Sequence, residues 1–280
     1  MNNTYIPGNP YTPIENVYLP KGYKLISLNK LTEIEWLFRV EYDQEVTFGQ
    51  FIEISIPRVG EAPLSVTQFN KEEGWIEFLI RKVGKVTDCL FDLKAGDLMF
   101  LRGPYGNGFP AEEEYRGKHL IIVAGGSGLA PVRSMINHFY NDEANDTKVD
   151  LLLGFKDYDS IIFKDEIKQW KEKFNTLITV DNSCSIDGVC EGLVTKYIPD
   201  LELADDIADM EVVIVGPPVM MKYSAMEFLS RGVPKEKIWV SFERKMSCGV
   251  GKCGHCKIDE TYICLEGPVF RYDEAEKLVD

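Results

Sequence analysis

Four cysteines grouped near the end of this 280-residue chain have the most specific chemistry in its sequence. They follow the spacing C-x4-C-x2-C-x7-C and are Cys248, Cys253, Cys256 and Cys264. Cysteine thiolates are ligands for soft metal ions and for iron–sulfur clusters. Three glycines, Gly249, Gly251 and Gly254, let the backbone wrap tightly, so that its N–H groups can point at the sulfurs. The segment therefore predicts a metal centre held by all four cysteines.

The first three cysteines match the C-x4-C-x2-C run of two-iron ferredoxins, in which a fourth ligand follows further along the chain. The intervening KIDETYI predicts a short hairpin that turns at Asp259 and Glu260 and brings Cys264 back beside Cys256. Two alternatives remain open: a structural zinc site with His255 as a substitute ligand, and thiols without a metal. Zinc ribbons usually have two separated C-x-x-C pairs and this segment has one, so the pattern favours a [2Fe-2S] cluster.

A glycine-rich turn in LIIVAGGSGLAPVRSMI joins a buried strand to an amphipathic helix. Gly125, Gly126 and Gly128 let a ligand approach the backbone, and Pro131 stands where a first-turn proline would. A pyrophosphate would fit against the free N–H groups at the positive end of such a helix. The spacing is GxGxxP rather than GxGxxG, so the dinucleotide fingerprint is incomplete. A glycine turn without a ligand is the alternative.

A second strand-to-helix turn lies in VVIVGPPVMMK, where Gly216 ends a predicted parallel strand. Ligands of open α/β sheets bind at the carboxyl ends of strands, so this turn would face the first one. An ordinary connection is the alternative. Earlier in the chain, Ser65, Thr67, Arg81 and Thr87 are polar groups among strands; Arg81 could pair with a phosphate, or all four could form a solvated strand face.

The period of the hydrophobic residues shows which elements must position these motifs. From about residue 18 to 110, short apolar stretches separated by turns predict antiparallel strands in a barrel or sandwich. From 118 onwards strand-like and helix-like segments alternate; Val132, Met135, Ile136 and Phe139, for example, recur at helical spacing. This alternation favours a parallel sheet covered by helices. We expect an antiparallel β-barrel, then an α/β parallel-sheet domain, then a small cysteine-bearing module.

The composition limits the partners of this chain. With 45 acidic and 31 basic residues the net charge is -14, which argues against binding to nucleic acid or to an anionic membrane. No apolar run approaches the ~18 residues of a membrane span, and the N-terminus lacks the features of a signal peptide, so we expect a cytoplasmic protein. There, cysteines are more often ligands or buried thiols than disulfides. We interpret Cys89, Cys184 and Cys190 as buried apolar residues.

Taken in order, these motifs resemble the ferredoxin-NADP reductase superfamily over about residues 18–235. The resemblance implies an N-terminal arm (1–17), an FAD-binding β-barrel (18–112), an NAD-binding α/β domain (117–236) and a [2Fe-2S] module (237–280). The segment ERKMSCGVGKCGHC is similar to the electron-transfer subunits of dihydroorotate dehydrogenase B. The short gap in CKIDETYICLEGPVF, together with GEAPLSV and the N-terminal YTP, is closer to the flavin and iron–sulfur electron-transfer subunits of the anaerobic sulfite reductases, the family favoured here.

The resemblance also implies which residues contact the cofactors. APLS stands where the superfamily has R-x-Y-S or R-x-I-S, so Ala62 replaces an arginine of the FAD pyrophosphate site and Arg81 is expected to take over part of its role. The flavin contacts implied are Pro63, Leu64, Ser65, Val66, Ile80, Arg81, Val86 and Thr87. The NAD contacts implied are Gly125, Gly126, Ser127, Gly128, Pro131, Gly216, Pro217 and Met220.

The implied function is electron transfer from NADH through FAD and the cluster to another protein. NADH is favoured over NADPH because GFKDYDS and VDNSCS offer only Lys156, among Asp157, Asp159 and Asp181, near the adenosine ribose. The cofactors supply the chemistry, so we expect no catalytic acid–base pair. The implied hetero-oligomer contains an iron–sulfur electron-transfer subunit and a sirohaem-containing catalytic subunit that reduces sulfite to sulfide. The alternatives are the equivalent subunit of a dihydroorotate dehydrogenase or hydrogenase complex, and a zinc-stabilised binding module without enzymatic activity.

Overall fold

The computed structural model describes residues 16–144, 146–182 and 186–278. Residues 1–15 of the predicted arm, including the YTP motif, lie outside the described residues, as does Cys184. No helix in the described ranges is long and apolar enough to span a bilayer.

The N-terminal half folds into seven strands and one short helix. These are β1 (Lys21–Lys30), β2 (Glu35–Glu41), β3 (Phe51–Ile56), β4 (Gly60–Ser65), β5 (Gln68–Asn70), β6 (Trp75–Arg81), α1 (Lys85–Leu90) and β7 (Leu98–Tyr105). The strands form one antiparallel sheet in the order β4-β3-β7-β1-β2-β6-β5. The predicted antiparallel architecture is confirmed.

This sheet curls until its two edge strands meet. Only Val66 and Thr67 separate β4 from β5, and they bridge the edges: the N–H of Val66 donates to Gln50 O, and the N–H of Thr67 donates to Glu77 O on β6. Alternate residues of β2 and β6 point into the curled sheet, where Phe38, Val40, Phe78 and Ile80 are fully buried. The curl therefore encloses a core of its own.

The C-terminal half alternates strands and helices, as predicted. Its elements are β8 (His119–Gly125), α2 (Ala130–Asn141), β9 (Lys148–Phe155), α3 (Lys164–Lys173), β10 (Asn175–Val180), β11 (Cys190–Glu191), β12 (Met210–Val215), α4 (Pro218–Ser230), β13 (Ile238–Ser241), β14 (Lys257–Ile258), β15 (Thr261–Tyr262), α5 (Ile263–Glu266), β16 (Val269–Arg271) and α6 (Tyr272–Ala275). Short 3₁₀ or π helices cover Ala111–Tyr115, Gly126–Leu129, Val194–Asp200, Ile207–Asp209 and Lys235–Lys237.

Seven of these strands form a second sheet in the order β11-β10-β9-β8-β12-β13-β16. All neighbours are parallel except β16, which runs antiparallel to β13. Every residue of β8 and β12 is buried, because helices or the C-terminal segment cover both faces. The strand order reverses between β8 and β12, and a crevice for a ligand is expected at the carboxyl ends of strands at such a point.

Two polar contacts fix the curled sheet against the α/β domain. The buried Arg133 on α2 donates from Nη1 to Glu77 Oε2 on β6 at 2.6 Å. The Thr67 hydroxyl donates to Ala130 O at the start of α2 at 2.7 Å. Leu37 and Leu79 add apolar contact on the same face. The glycine turn before α2 is thereby held beside strands β4 and β6.

The cysteine segment leaves the α/β sheet and returns to it. β13 and β16, which both fall within the predicted module 237–280, pair in the sheet through Ser241 and Val269. Between them, β14 and β15 form the predicted hairpin, with Ile258 opposite Thr261 and the turn at Asp259 and Glu260. The domain boundaries themselves remain predictions.

The cysteines outside that segment are less buried than their interpretation as apolar core residues requires. Cys89, at the end of α1, and Cys190, at the start of the edge strand β11, are both half-buried. An edge strand and a short surface helix leave one side of each residue open to solvent. The two thiols lie on different domains and do not form a disulfide.

Candidate functional site

Backbone amides surround the sulfurs of the cysteine segment. The N–H groups of Lys252 and Cys253 donate to Cys248 Sγ at 3.3 and 3.4 Å, and that of Gly251 donates to Cys264 Sγ at 3.1 Å. Such donors stabilise negative charge on thiolate sulfur. The segment therefore has the donor set that a thiolate-held metal cluster requires.

The four thiols are close neighbours that differ in exposure. Cys253 interacts with Cys248, and Cys264 interacts with both Cys256 and Cys248. Cys256 and Cys264 are buried, whereas Cys253 is exposed. Burial raises the pKa of the Cys264 thiol to about 12, while the backbone N–H of His255 lowers the pKa of Cys253. In the described ranges, no three His, Cys, Asp or Glu side chains converge on one point as the ligands of a single ion would.

Glycine is required where the cysteine segment turns. Gly249 and Gly251 have φ angles of 72° and 65°, which side chains with a Cβ rarely adopt. A Cβ at Gly249 would lie 2.9 Å from the Tyr105 ring, and one at Gly251 would lie 2.9 Å from Leu265. The segment is thus folded tightly on itself and against β7.

A cavity of about 660 Å³ opens between strands β4 and β6, the turn before α2 and the segment after β13. This volume is typical of cofactor sites, which span about 300–1,000 Å³. The predicted residues that line it are Pro63, Leu64, Ser65, Arg81, Thr87, Ser127 and Pro131. Val66 and Ile80 do not line it: their side chains are buried in the core of the curled sheet. Val86 also packs against that core and not in the cavity wall.

Five consecutive residues that the sequence interpretation did not assign to a site also line this cavity: Phe242, Glu243, Arg244, Lys245 and Met246. They follow the carboxyl end of β13, where ligands of parallel sheets bind, and this position was the signal that could have found them. Arg244 and Lys245 bring positive charge to a cavity in which Ala62 supplies none. Glu243 lines the cavity and is exposed to solvent there, and desolvation by the nearby walls raises its pKa.

The second cavity, of about 420 Å³, lies at the point where the strand order reverses. The predicted residues that line it are Gly125, Gly126, Ser127, Gly128, Gly216 and Pro217. A Cβ at Gly128 would lie 2.4 Å from Val215 O, whereas one at Gly126 would meet no atom within 4 Å. Gly128 thus lets the two turns meet, and Gly126 leaves backbone open to a ligand. Arg81, Phe242 and Glu243 line both cavities, so the two adjoin.

A third cavity, of about 370 Å³, continues from the second through Gly125, Gly126 and Pro217. Its wall includes the predicted Met220 together with Phe155, Lys156 and Asp181. Asp157 and Asp159 do not line it. The three cavities form one row along the carboxyl edge of the parallel strands. The wall of the 660 Å³ cavity includes residues 242–246, directly before the first cysteine, and Pro268, shortly after the last.

Three family descriptions match successive parts of this chain. An oxidoreductase FAD-binding domain matches residues 27–109, and an oxidoreductase NAD-binding domain matches residues 122–225. The iron–sulfur cluster binding domain of dihydroorotate dehydrogenase B matches residues 243–276. In chain order, the three matches cover the curled sheet, the α/β domain and the cysteine segment.

Curated relatives match almost the whole chain. Sulfhydrogenase 2 subunit gamma of Pyrococcus furiosus is 37% identical over 93% of this chain and 97% of its own length. A probable dihydroorotate dehydrogenase B electron-transfer subunit of Methanothermobacter thermautotrophicus is 34% identical over 87% of this chain and 85% of its own. Among solved structures, an NADH-dependent reduced ferredoxin-NADP oxidoreductase superposes with a TM-score of 0.73 at 28% identity, covering 91% of both chains.

Proposed function

This chain belongs to the ferredoxin-NADP reductase-like family of NAD-dependent flavin and iron–sulfur electron-transfer subunits, and we propose that it passes electrons from NADH through FAD and a [2Fe-2S] cluster to a partner subunit. The observation that carries the proposal is the row of three adjoining cavities, the first of which is lined by residues 242–246, directly before the four cysteines. When bound, the flavin accepts hydride from NADH and releases its two electrons one at a time. The residues of the chain would hold the cofactors in position for this transfer.

The residues of the first two cavities fit this role. Pro63, Leu64 and Ser65 line the first cavity together with Ser127 of the turn before α2, and Gly126 lines the second, so a flavin held in the first cavity would lie beside a nicotinamide held in the second. Buried Phe242 lies between the two cavities and excludes water from their junction. Arg81, Arg244 and Lys245 replace the positive charge that Ala62 lacks.

The arrangement of the thiols supports a two-iron cluster over a zinc ion. A structural zinc ion is held by four ligands around one centre. Among the described residues no three ligand side chains converge on one point, and a two-iron cluster takes two cysteines on each iron. The amides that point at Cys248 and Cys264 would stabilise the charge of the reduced cluster.

NADH is the proposed electron donor because of the third cavity. Asp181 follows β10, and its carboxylate would repel a 2′-phosphate while accepting a hydrogen bond from a 2′-hydroxyl. Among the described residues of that wall, Lys156 is the only basic side chain.

The proposed partner is a subunit with iron–sulfur centres of its own. The sequence resemblance favours a sirohaem-containing, sulfite-reducing complex, whereas the two sulfhydrogenase gamma subunits, at 37% and 33% identity, favour a hydrogenase-type complex. The complex isolated with this chain would separate the two possibilities. NADH-dependent production of sulfide from sulfite supports the first, and NADH-dependent evolution of hydrogen supports the second.

The proposal is tested by spectra of the protein purified without oxygen, recorded before and after NADH is added. We expect flavin and cluster bands that both bleach, with about two irons per chain. Cys253→Ser should remove the cluster bands and leave flavin reduction intact, whereas the matched control Cys89→Ser should change neither. A colourless protein that holds zinc and does not oxidise NADH after reconstitution would refute the proposal.

A further inference from the structure

We propose that Arg102 is a positioning residue: it holds the cysteine segment against the flavin-binding strand β4 and so sets the transfer of electrons between the two sites. The inference rests on the proposed function and concerns a residue that none of the cofactor motifs contains. Arg102 lies on β7, and only 4% of its side chain is exposed.

One edge of the guanidinium binds the backbone of the cysteine segment. Nη2 donates to Ser247 O and Nη1 donates to Cys248 O, both at 2.6 Å. These two carbonyls flank the first of the four cysteines. Its position therefore depends directly on a side chain of the curled sheet.

The other edge binds the flavin-side strand. Nη2 donates to Glu61 Oε2 at 2.5 Å, and Nε lies 3.1 Å from both carboxylate oxygens. Glu61 directly precedes the Ala62–Ser65 stretch that forms the cavity wall. One guanidinium thus connects the wall of the flavin cavity to the first cysteine.

Only arginine has the geometry for this connection. Its planar fork carries five N–H donors, whereas a lysine ammonium carries three donors on a single nitrogen and cannot reach two carbonyls and a carboxylate on opposite edges. The cysteine segment also closes on the guanidinium: a Cβ at Gly249 would lie 3.3 Å from Arg102 Nη1. The close fit makes the distance between strand and cysteine sensitive to this one side chain.

The charge of Arg102 has a second consequence. Glu53 is fully buried, with Oε1 3.9 Å from Arg102 Nη2, so the guanidinium stands between two carboxylates. Without the cation, the carboxylate of Glu61 would remain near the cysteine segment with no guanidinium beside it. Adding an electron there would then be less favourable, and the midpoint potential of the cluster would fall.

The test compares Arg102→Lys and Arg102→Gln with a matched control, Arg231→Lys, in the complete protein with its cofactors. Arg231 donates to Ile198 O and Leu201 O at 2.5 and 2.6 Å, so it also binds two carbonyls, but far from the cysteine segment. Three readouts are used: amide hydrogen exchange of residues 247–253, the midpoint potential of the cluster, and the separate rates of flavin reduction by NADH and of cluster reduction.

We expect both Arg102 variants to keep the rate of flavin reduction within about twofold and to exchange faster over residues 247–253. Arg102→Gln, which also removes the positive charge, should have a lower cluster potential than Arg102→Lys. Cluster reduction should slow by about tenfold, because the cysteine segment is no longer held at a fixed distance from the flavin cavity. Glu61→Gln, which loosens the anchor and keeps the bonds to the two carbonyls, should fall between these variants and the control.

Arg102 variants that match Arg231→Lys in exchange, potential and cluster reduction would overturn the inference. An Arg102 variant that fails to fold leaves Glu61→Gln to decide, and equality of that variant with the control would overturn the inference as well. Failure of the unsubstituted protein to reduce its cluster with NADH would refute the proposed function instead, while the exchange comparison would still test the role of Arg102.

Discussion

Glu77→Gln is expected to weaken the contact between the curled sheet and the α/β domain. Glu77 is 1% exposed; its Oε1 accepts from Arg39 Nε at 2.8 Å, and its Oε2 accepts from Arg133 Nη1 at 2.6 Å. The amide of glutamine can accept from only one of these cations and turns its NH₂ towards the other. In either orientation, the buried Arg133 loses the negative charge that pairs with it across the domain boundary.

The expected loss in the free energy of unfolding depends on which partners Arg133 and Arg39 keep after the substitution. Breaking a buried ion pair by removing one partner costs about 3–5 kcal/mol. Arg133 keeps Glu166, with Nε 2.8 Å from its carboxylate, and Arg39 is 38% exposed and can be solvated. We therefore expect the lower end, about 3 kcal/mol in the free energy of unfolding. At about 2–4 °C per kcal/mol for a chain of this size, the melting temperature would fall by roughly 6–12 °C.

Urea unfolding followed by tryptophan fluorescence measures the loss in both domains at once. Trp36 and Trp75 lie in the curled sheet, and Trp170 and Trp239 lie in the α/β domain. A looser contact should lower the midpoint and broaden the transition, because the two halves then unfold less cooperatively. The control is Glu166→Gln, which removes the more exposed partner of Arg133 and should cost about 1 kcal/mol.

A double substitution tests the reasoning directly. Arg133→Met removes the cation that Glu77→Gln leaves unpaired, so the two changes together should cost less than the sum of the single losses by about 1–3 kcal/mol. The reasoning would be refuted if Glu77→Gln cost less than about 1 kcal/mol and the double substitution cost the sum of the two single losses. The contact would then contribute little to the stability of the two packed domains.

Three further substitutions have expected outcomes. Asp181→Asn should raise the ratio of kcat/KM for NADPH over NADH by about tenfold, since it removes one repulsive charge near a 2′-phosphate, and steady-state kinetics with both nucleotides measure it. Gly128→Ala should abolish flavin reduction by NADH but not by dithionite, because its Cβ would lie 2.4 Å from Val215 O; an unchanged rate would contradict the assigned contact. Thr67→Val should destabilise the protein by about 1–3 kcal/mol, since Ala130 O loses a buried donor, and calorimetry would detect it.

Local patterns made much of the fold and the cysteine segment predictable. The KIDETYI hairpin needs only a two-residue turn at Asp259 and Glu260, and the helix over Ala130–Asn141 follows from the spacing of apolar residues. Alternation along a strand explains one difference in the site. On β6, Leu79 and Arg81 face the cavity, so Ile80 between them points to the opposite side, into the core. Val66 follows the end of β4 and is buried in the same core.

Features that depend on distant parts of the chain could not be predicted from sequence. The three-residue strand Val269–Arg271 gains its place by pairing with β13, about thirty residues earlier. Phe242 and Met246 line the cavity only because the curled sheet packs against the carboxyl end of β13. Arg102 has no sequence signal at all: its partners Glu61 and Ser247 lie 41 and 145 residues away.

Because Ser241 pairs with Val269, the cysteine segment starts and ends at adjacent positions of the same sheet. The chain leaves and re-enters at neighbouring positions, which in antiparallel strands are about 5 Å apart, so a tight turn could replace residues 242–268 without moving either strand. Such a shortened chain would expose the sheet face that Met246 and Ile263 cover. The first two cavities would keep the walls formed by β4, β6 and the two glycine turns, and would lose the wall formed by residues 242–246. The geometry makes the iron–sulfur segment an exchangeable cassette: a two-cofactor reductase could gain or lose its third redox centre in a single insertion or deletion.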